Sequence, residues 1–460
     1  MKYGYIGLVV LGLSVVSCKI TRPYTSPEAG PSSLYREQSG TDTANIASVN
    51  WSDFFKDTTL QALIAKGLQE NLDMKMAVQR IMAAQASYRQ SKLAFLPDLN
   101  GSVSVKESRL SFPQGYGIIN SATQYDLGFT AGWEADIWGK LRSGKRAALA
   151  NLLATDAAKR AIRSKLVSDI AVAYYSLLAL DAQLKVLELT LKNRKEDVAA
   201  MRDLKASAIV NGAAIVQSEA NQYTVEVAIP DTKRQIRETE NLLCMLLSMP
   251  SGTIERSSLS TQLLPGTLTV GVPAQLLRFR PDVQEAELTF RSAFEMTNIA
   301  RTAFYPTLSI SASGGFSSFD FSQWFTGTGL FANVVGGLTQ PVFNRGLNTA
   351  RLKTAEAKQQ EAFYNFSKSL LTAGREVSDA LYALQSAREK ESGRSRQLVA
   401  LEKSVEFTKD LLRYSETTNY TDVLTSEQHL LSAQMGQIGD QLQQWQAVIA
   451  LYRAVGGGAM

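Results

Sequence analysis

Two stretches constrain this chain more than anything else in it, because each runs in a helical pattern without proline for about 65 residues. The first follows Gly132-Trp133-Glu134-Ala135-Asp136-Ile137-Trp138-Gly139-Lys140 and ends near Ala206. The second follows Gly337-Leu338-Thr339-Gln340-Pro341-Val342-Phe343-Asn344-Arg345 and ends near Tyr414. At the α-helical rise each would be roughly 100 Å long, far beyond the usual globular helix. Lys, Arg, Asp and Glu recur along both, which excludes a bilayer-spanning helix. In each copy an alternating segment meets an aromatic, a tight polar turn and a basic residue. Such a repeat predicts two similar halves that build one object.

Composition removes several function classes. A net charge of +5 over 460 residues is too weak to point to nucleic acid. The one histidine, His429, cannot supply a histidine metal cluster or a His-based triad within one chain. No phosphate loop, nucleophile elbow or metal-ligand spacing occurs, so neither an enzyme nor a cofactor is expected. Of the two cysteines, Cys244 sits in Leu242-Leu243-Cys244-Met245-Leu246-Leu247 and reads as a small buried hydrophobe.

Cys18 has a different setting. Lys2 supplies a positive start, and Ile6 to Val16 is an apolar run too short to span a bilayer. Val15-Val16-Ser17-Cys18 then resembles a bacterial lipoprotein signal, which would leave Cys18 as a lipidated first residue after removal of residues 1–17. Lys19 at the next position permits delivery to the outer membrane. Residues 18–50 are polar and hold Pro23, Pro27 and Pro31, which predicts an extended linker. Residues 51–249 form the first repeat: a helix from Leu60 to Phe95, two strands, the long helix, and a return helix that Pro230 should kink or interrupt. Residues 250–275 are a short connector. Residues 276–455 repeat the plan, with Ala303-Phe304-Tyr305-Pro306 echoing Ala94-Phe95-Leu96-Pro97. Residues 456–460 are set apart as a tail.

The strands decide the environment. Leu99, Gly101, Val103 and Val105 alternate with Asn100, Ser102, Ser104 and Lys106. Tyr125, Leu127, Phe129, Ala131, Trp133 and Ile137 alternate with Asp126, Gly128, Thr130, Gly132, Glu134 and Asp136. Two more such segments lie in the second half, where residues 321–344 carry no charge. Each strand is about ten residues long, the length a tilted strand needs to cross a bilayer. One apolar face and one polar face fit lipid on one side and a lumen on the other. Asp126, Thr130, Glu134 and Asp136 are then the expected lumen-facing residues. Four strands cannot close a water-filled barrel, and an open edge in lipid is forbidden. The chain must share a barrel with other copies.

At this point the sequence resembles the outer-membrane factor family, the TolC/OprM-like channels, and within it the lipidated NodT-type efflux branch. The resemblance rests on the Cys18 segment, on Trp51 with Leu60-Gln61-Ala62-Leu63-Ile64 and Asn71-Leu72, on Phe95-Leu96-Pro97-Asp98-Leu99, and on Trp133 to Gly139. Arg280-Pro281-Asp282-Val283, Ala303-Phe304-Tyr305-Pro306 and Gln340-Pro341-Val342-Phe343 carry it through the second half. It implies an α plus transmembrane β fold: a homotrimeric 12-stranded β-barrel, four strands per chain, continued by an α-helical periplasmic tunnel with a mixed equatorial domain. It also implies outer-membrane lipid, a periplasmic adaptor protein and an inner-membrane RND transporter as partners.

The expected function is the outer-membrane channel of a tripartite efflux system, passively conducting small toxic molecules outward. An exit duct for type I protein secretion uses the same fold and is the second reading. A structural coiled-coil envelope lipoprotein is the third, although a tether needs no amphipathic strands. The two helix–turn–helix tips, around Asp203 to Ala213 and Arg413 to Asp422, are the expected closed end. Tyr414, Tyr420 and Asp422 are its candidate gate residues. Where lipidated members often carry an Asp-Ala-Gln-Arg-like run, this chain has Thr425-Ser426-Glu427-Gln428, so gating contacts built on that run do not transfer.

Overall fold

The computed structural model describes residues 20–27, 46–109, 121–207, 210–265, 279–414 and 420–459, with the side chains of all but Arg413 and Tyr414. In chain order the main elements are α1 (Thr58–Glu70), α2 (Leu72–Leu93), β1 (Asp98–Arg109), β2 (Ser121–Ala135), α3 (Lys140–Ala206) and α4 (Gly212–Leu246). They continue with α5 (Pro281–Thr302), β3 (Thr307–Ser318), β4 (Leu330–Thr339), α6 (Leu347–Tyr414) and α7 (Tyr420–Ala454). α3 and α6, of 67 and 68 residues, are the two long helices. Pro97 and Pro306 each follow a helix end and precede a strand, because proline cannot continue the hydrogen-bond ladder.

Two expectations about helix continuity change. The periodic segment from Leu60 to Phe95 is two helices, broken at Asn71. That side chain donates to Leu246 O at 2.9 Å and accepts from Met74 N at 3.1 Å, while Leu72 N donates to Ser248 Oγ at 3.1 Å. Tertiary partners replace the helical ones there, and the apolar period carries on across the break. Conversely, α4 runs uninterrupted through Pro230. The ring removes one donor, and the helix still continues as one element of 35 residues.

The chain divides into two compact units. The first draws on Met1–Glu28, Arg80–Thr155 and Glu285–Phe366. Its sheet has order β1-β2-β3-β4, all neighbours antiparallel. α3 starts after Gly139, whose φ of +81° suits glycine. Asp136 accepts from Leu141 N at 2.9 Å and Arg142 N at 3.0 Å, so it caps that helix and also pairs with Arg142 Nε. Beside the sheet, Arg146 grips the buried Glu295 with two bonds of 2.6 and 3.0 Å. Residues 20–27 are fixed here too. Tyr24 packs edge-on against Phe294, and burial, then nearby Glu287, pushes its hydroxyl up to about 12. Thr21 touches Gly139.

The second unit, drawn from Ala29–Gln79, Asp156–Gln284 and Ser367–Met460, holds the largest core. One 18-residue window of α3 is apolar enough to cross a membrane, yet half of it is buried inside this chain. Ile170, Tyr174, Tyr175, Leu177 and Leu178 are core residues, and Tyr175 stacks on Trp445 at 4.0 Å. Asp57 caps α1 and accepts from Tyr174, Ser257 and Gln262 at 2.8, 2.5 and 2.8 Å. Burial pushes its pKa up, but these bonds and the Leu60 amide outweigh it and leave the carboxyl below its ordinary value.

The Arg280-Pro281-Asp282-Val283 motif is an architectural joint. Arg280 is buried, forks onto Asp282 at 2.9 and 2.5 Å, and reaches Glu376 of α6 at 2.6 Å and Ala454 O at the end of α7 at 3.0 Å. The expected tail is packed as well. Gly456, Gly457, Gly458 and Ala459 are buried, and Ser164 donates to Gly457 O at 2.5 Å. Gly456 has φ +101°, and a Cβ there would lie 2.3 Å from Phe279 O. Composition marks such a run as loose, whereas here the absence of side chains lets it lie against its neighbours. Met460 lies outside the described residues.

Candidate channel surface and periplasmic tip

The strand register fixes two faces. Leu99, Ala131, Ala312 and Val334 lie side by side across all four strands, and Val103, Leu127, Phe316 and Leu330 form a second row. Trp133 pairs with Ile310, and Leu308 with Leu338. The opposite face carries the row Asn100, Thr130, Ser313 and Asn333. Alternation therefore yields one apolar surface and one polar surface, because the strands pair without a one-residue slip, and the apolar side gives way to Glu107 and Arg109 only at the end of β1 remote from the helices. Phe331 and Val335 are apolar exceptions on the polar side.

Aromatics gather at both strand ends. Near the helices, Trp133 Nε1 donates to Phe95 O at 2.9 Å and Trp138 Nε1 to Pro306 O at 2.6 Å. At the other end Tyr125, Phe316, Phe321, Trp324 and Phe325 form a ring cluster.

The four residues expected to face a lumen do not form one set. Asp126 and Thr130 lie in mid-strand on the polar face, and Asp126 accepts from Ser317 Oγ at 2.6 Å and Gln124 Nε2 at 3.0 Å. Glu134 shares that face near the helical end, where Lys140 holds it at 2.8 Å. Asp136 lies one residue beyond β2 and serves as the helix cap described above. Its carboxylate is occupied by backbone amides and Arg142.

At the far ends of the long helices the candidate gate residues have unlike settings. Cys18 and the side chain of Tyr414 lie outside the described residues. Tyr420 is a core residue, 5% exposed, packed with Met201, Val423 and Leu424. Its hydroxyl donates to Ser218 Oγ at 3.0 Å, and burial raises its pKa. Asp422 is exposed in the first turn of α7, where the helix dipole favours a carboxylate.

Beneath Tyr420 lies a charged cluster that sequence reasoning missed. Arg194 of α3 is 3% exposed and pairs with Glu427 of α7. Lys409 of α6 holds Glu427 at 2.6 Å and Asp197 of α3 at 3.8 Å. One Asp197 oxygen is buried without a hydrogen-bond partner among the described residues. Burial, then the neighbouring Glu427, raises the Asp197 pKa against the opposing pull of Lys409 and Arg194. Three helices are thus tied by two cations and two carboxylates in a place of low dielectric.

One sequence signal could have found this cluster. Ser218-Glu219 and Ser426-Glu427 occupy matching places in the two return helices. Both glutamates are paired with arginines of α3: Glu219 with Arg202 at 2.7 Å, and Glu427 with Arg194. The first arginine is mostly exposed and the second is not.

Comparison with known proteins completes the description. The model of a family described as outer membrane efflux protein matches twice, over residues 63–248 and 272–457, so the internal repeat is a property of the family. The chain is 29% identical over 458 positions to the cation efflux system protein CusC of Escherichia coli strain K12, covering 97% of this chain and 98% of that one. It is 30% identical over 472 positions to the solvent efflux pump outer membrane protein SrpC of Pseudomonas putida, covering 100% and 99%. A crystal structure of CusC superposes with a TM-score of 0.85 at 27% identity, over 96% of this chain and 100% of that one. The chain belongs to the outer membrane efflux protein family.

Proposed function

We propose that three copies of this outer-membrane efflux channel close a shared 12-stranded barrel and act as the passive outlet of a tripartite pump. The observation that carries the reading is the open sheet. Its apolar face spans all four strands, while β1 and β4 each have one edge unpaired among the described residues. In lipid those edges must be paired, and rotational symmetry among identical copies pairs each β1 with the next β4. The polar face then lines the lumen, with Asp126, Thr130 and Glu134 on it. The channel belongs to a family of ducts, not of enzymes. Its helical part lies in the periplasm.

A duct alone does no work, so an inner-membrane transporter, of the proton-driven RND class, and a periplasmic adaptor complete the path. Cargo is chosen upstream: the relatives CusC and SrpC are named for cation and for solvent efflux. Lipidation at Cys18 is supported by the docked arm. Thr21 touches the turn at Gly139, just past the end of β2, and the three residues back to Cys18 reach at most about 11 Å. An acyl chain there would enter the inner leaflet beside the barrel.

Planar-bilayer conductance of the purified protein, together with its oligomer mass in detergent, tests the proposal. A conducting trimer is expected; a silent monomer would end it. Mass spectrometry of the mature N-terminus tests Cys18.

A further inference from the structure

The loop joining β3 and β4 is rich in aromatics, and the register shows which way it folds. Tyr125 pairs with Ser318 and Leu127 with Phe316, so Tyr125 and Phe316 both lie on the apolar face, at the end remote from the helices. The loop's own rings sit on these two. Trp324 lies 5.6 Å from Tyr125, Phe321 5.4 Å from Tyr125, and Phe325 5.8 Å from Phe316. Trp324 is 8% exposed, stacks on Phe325 at 4.7 Å, and donates its indole N–H to Phe316 O at 3.3 Å.

The turn that produces this fold-back is built in. Asp320 caps a single 3₁₀ turn, Phe321–Gln323, by accepting from Ser322 N at 2.9 Å. Gly329 closes the loop: a Cβ there would lie 2.7 Å from Trp324 O, its N donates to Thr326 O at 3.0 Å, and its carbonyl accepts from Ser317 N at 2.8 Å.

The outer faces of these rings are uncovered. Phe319, Phe321 and Phe325 are 71%, 65% and 61% exposed. Three uncovered phenylalanines within one short loop are costly in water, since an aromatic side chain carries roughly 150–250 Å² of surface. Phe321 and Phe325 extend the apolar face through Tyr125 and Phe316, and residues 321–344 carry no charge.

We infer that this loop is a membrane anchor: it is folded outward, away from the lumen, and seats Phe319, Phe321 and Phe325 in the acyl–headgroup boundary of the outer leaflet. Aromatic girdles sit at that boundary in outer-membrane barrels, and because phenylalanine has no polar group of its own, neighbouring side chains must supply one. Ser318, Ser322, Gln323 and Thr326 supply the polar edge. The inference rests on the apolar face meeting lipid, and it adds that the loop leaves the pore mouth uncovered.

The test places an environment-sensitive fluorophore on Phe321→Cys in otherwise full-length protein carrying Cys18→Ala and Cys244→Ser. Trimers are reconstituted into phosphatidylcholine vesicles brominated on acyl carbons near the headgroup or near the chain end. Phe129→Cys, on the mid-strand apolar face, is labelled in parallel. The label at 321 should be quenched several-fold more by bromine near the headgroup than by aqueous iodide. Quenching at 321 by iodide alone would overturn the anchor while a lipid-quenched label at 129 keeps the sheet assignment. A label at 129 that lipid bromine does not reach would instead refute the facing of the sheet. As a second measurement, Phe319→Ser/Phe321→Ser/Phe325→Ser should leave single-channel conductance unchanged; a rise would mean that the loop covers the mouth, and would sink the inference.

Discussion

Asn298 clasps the backbone of Arg22 from both sides, accepting from Arg22 N at 3.0 Å and donating to Arg22 O at 2.9 Å. A side-chain amide here does what a neighbouring strand would do. Asn298 is fully buried, so neither bond competes with water. The arm leading back to Cys18 is therefore a fixed strut over residues 20–27. Asn298→Ala should cost about 1–3 kcal/mol from the stranded backbone groups. It should also release the Arg22 amide to fast hydrogen exchange. An Arg22 amide that stays protected in the variant would show that Tyr24 alone holds the arm.

Arg280 should be hard to replace. It makes four bonds to three groups, and only a planar fork can serve Asp282, Glu376 and Ala454 O together. Arg280→Lys is expected to lower the melting temperature almost as far as Arg280→Ala, which should cost about 3 kcal/mol. Near wild-type melting of the lysine variant would reduce the motif to a point charge.

The two sheet faces predict opposite responses from adjacent residues. Phe129→Arg puts a charge on the apolar face, where its ring now covers Gly101, and should cost about 2–4 kcal/mol near mid-membrane. Thr130→Arg should leave trimer yield unchanged and alter ion selectivity. Equal assembly defects would reject this register of faces.

Asp197 makes the tip sensitive to pH. Its pKa is raised in the packed tip, so the packed form holds a proton where an exposed aspartate would not. Stability from this group is complete below the ordinary carboxylate range and is lost as pH rises through the raised value. Hydrogen exchange around α7's first turns, corrected for its intrinsic pH dependence, should therefore accelerate over that window. Asp197→Asn should abolish the trend. The same slope in the asparagine variant would show that Asp197 does not carry it.

Tyr420 lets the gate be probed without emptying a core. Tyr420→Phe keeps the ring against Met201 and Leu424 and strands only Ser218, which should cost about 1–2 kcal/mol. If the tip holds the channel closed, Tyr420→Phe should raise single-channel open probability modestly. Tyr420→Ala should raise it much more, with trimer yield unchanged. Unaltered gating in both would move the gate to another level of the tunnel.

The long helices and the strands were legible because each has a period that the sequence must keep over many residues. Ala206 and Tyr414 end α3 and α6 as the periodicity predicts, and the alternating segments are the four strands. Cys244 is buried, as its apolar setting predicts. Features without a period were hidden. Asn71 breaks a helix through partners about 175 residues away, in a stretch whose apolar spacing never falters. Arg194 and Asp197 look like any solvated helical charges; only the fold brings Glu427 and Lys409 to them. The arm reads as a linker because what holds it, Asn298 on the Arg22 backbone and Phe294 against Tyr24, lies more than 250 residues away in the chain. Asp136 alternates correctly and yet lies past the strand, since a cap and a strand residue share the same parity.

The unpaired edges of the four-stranded sheet carry a genetic consequence. If a barrel is sealed only by three intact copies, one faulty subunit spoils the two sound ones beside it. In a cell making equal amounts of normal and edge-damaged protein, random mixing would leave only about one assembly in eight wholly normal. A lesion in β1 or β4 would then be dominant, whereas a loss of expression would be recessive.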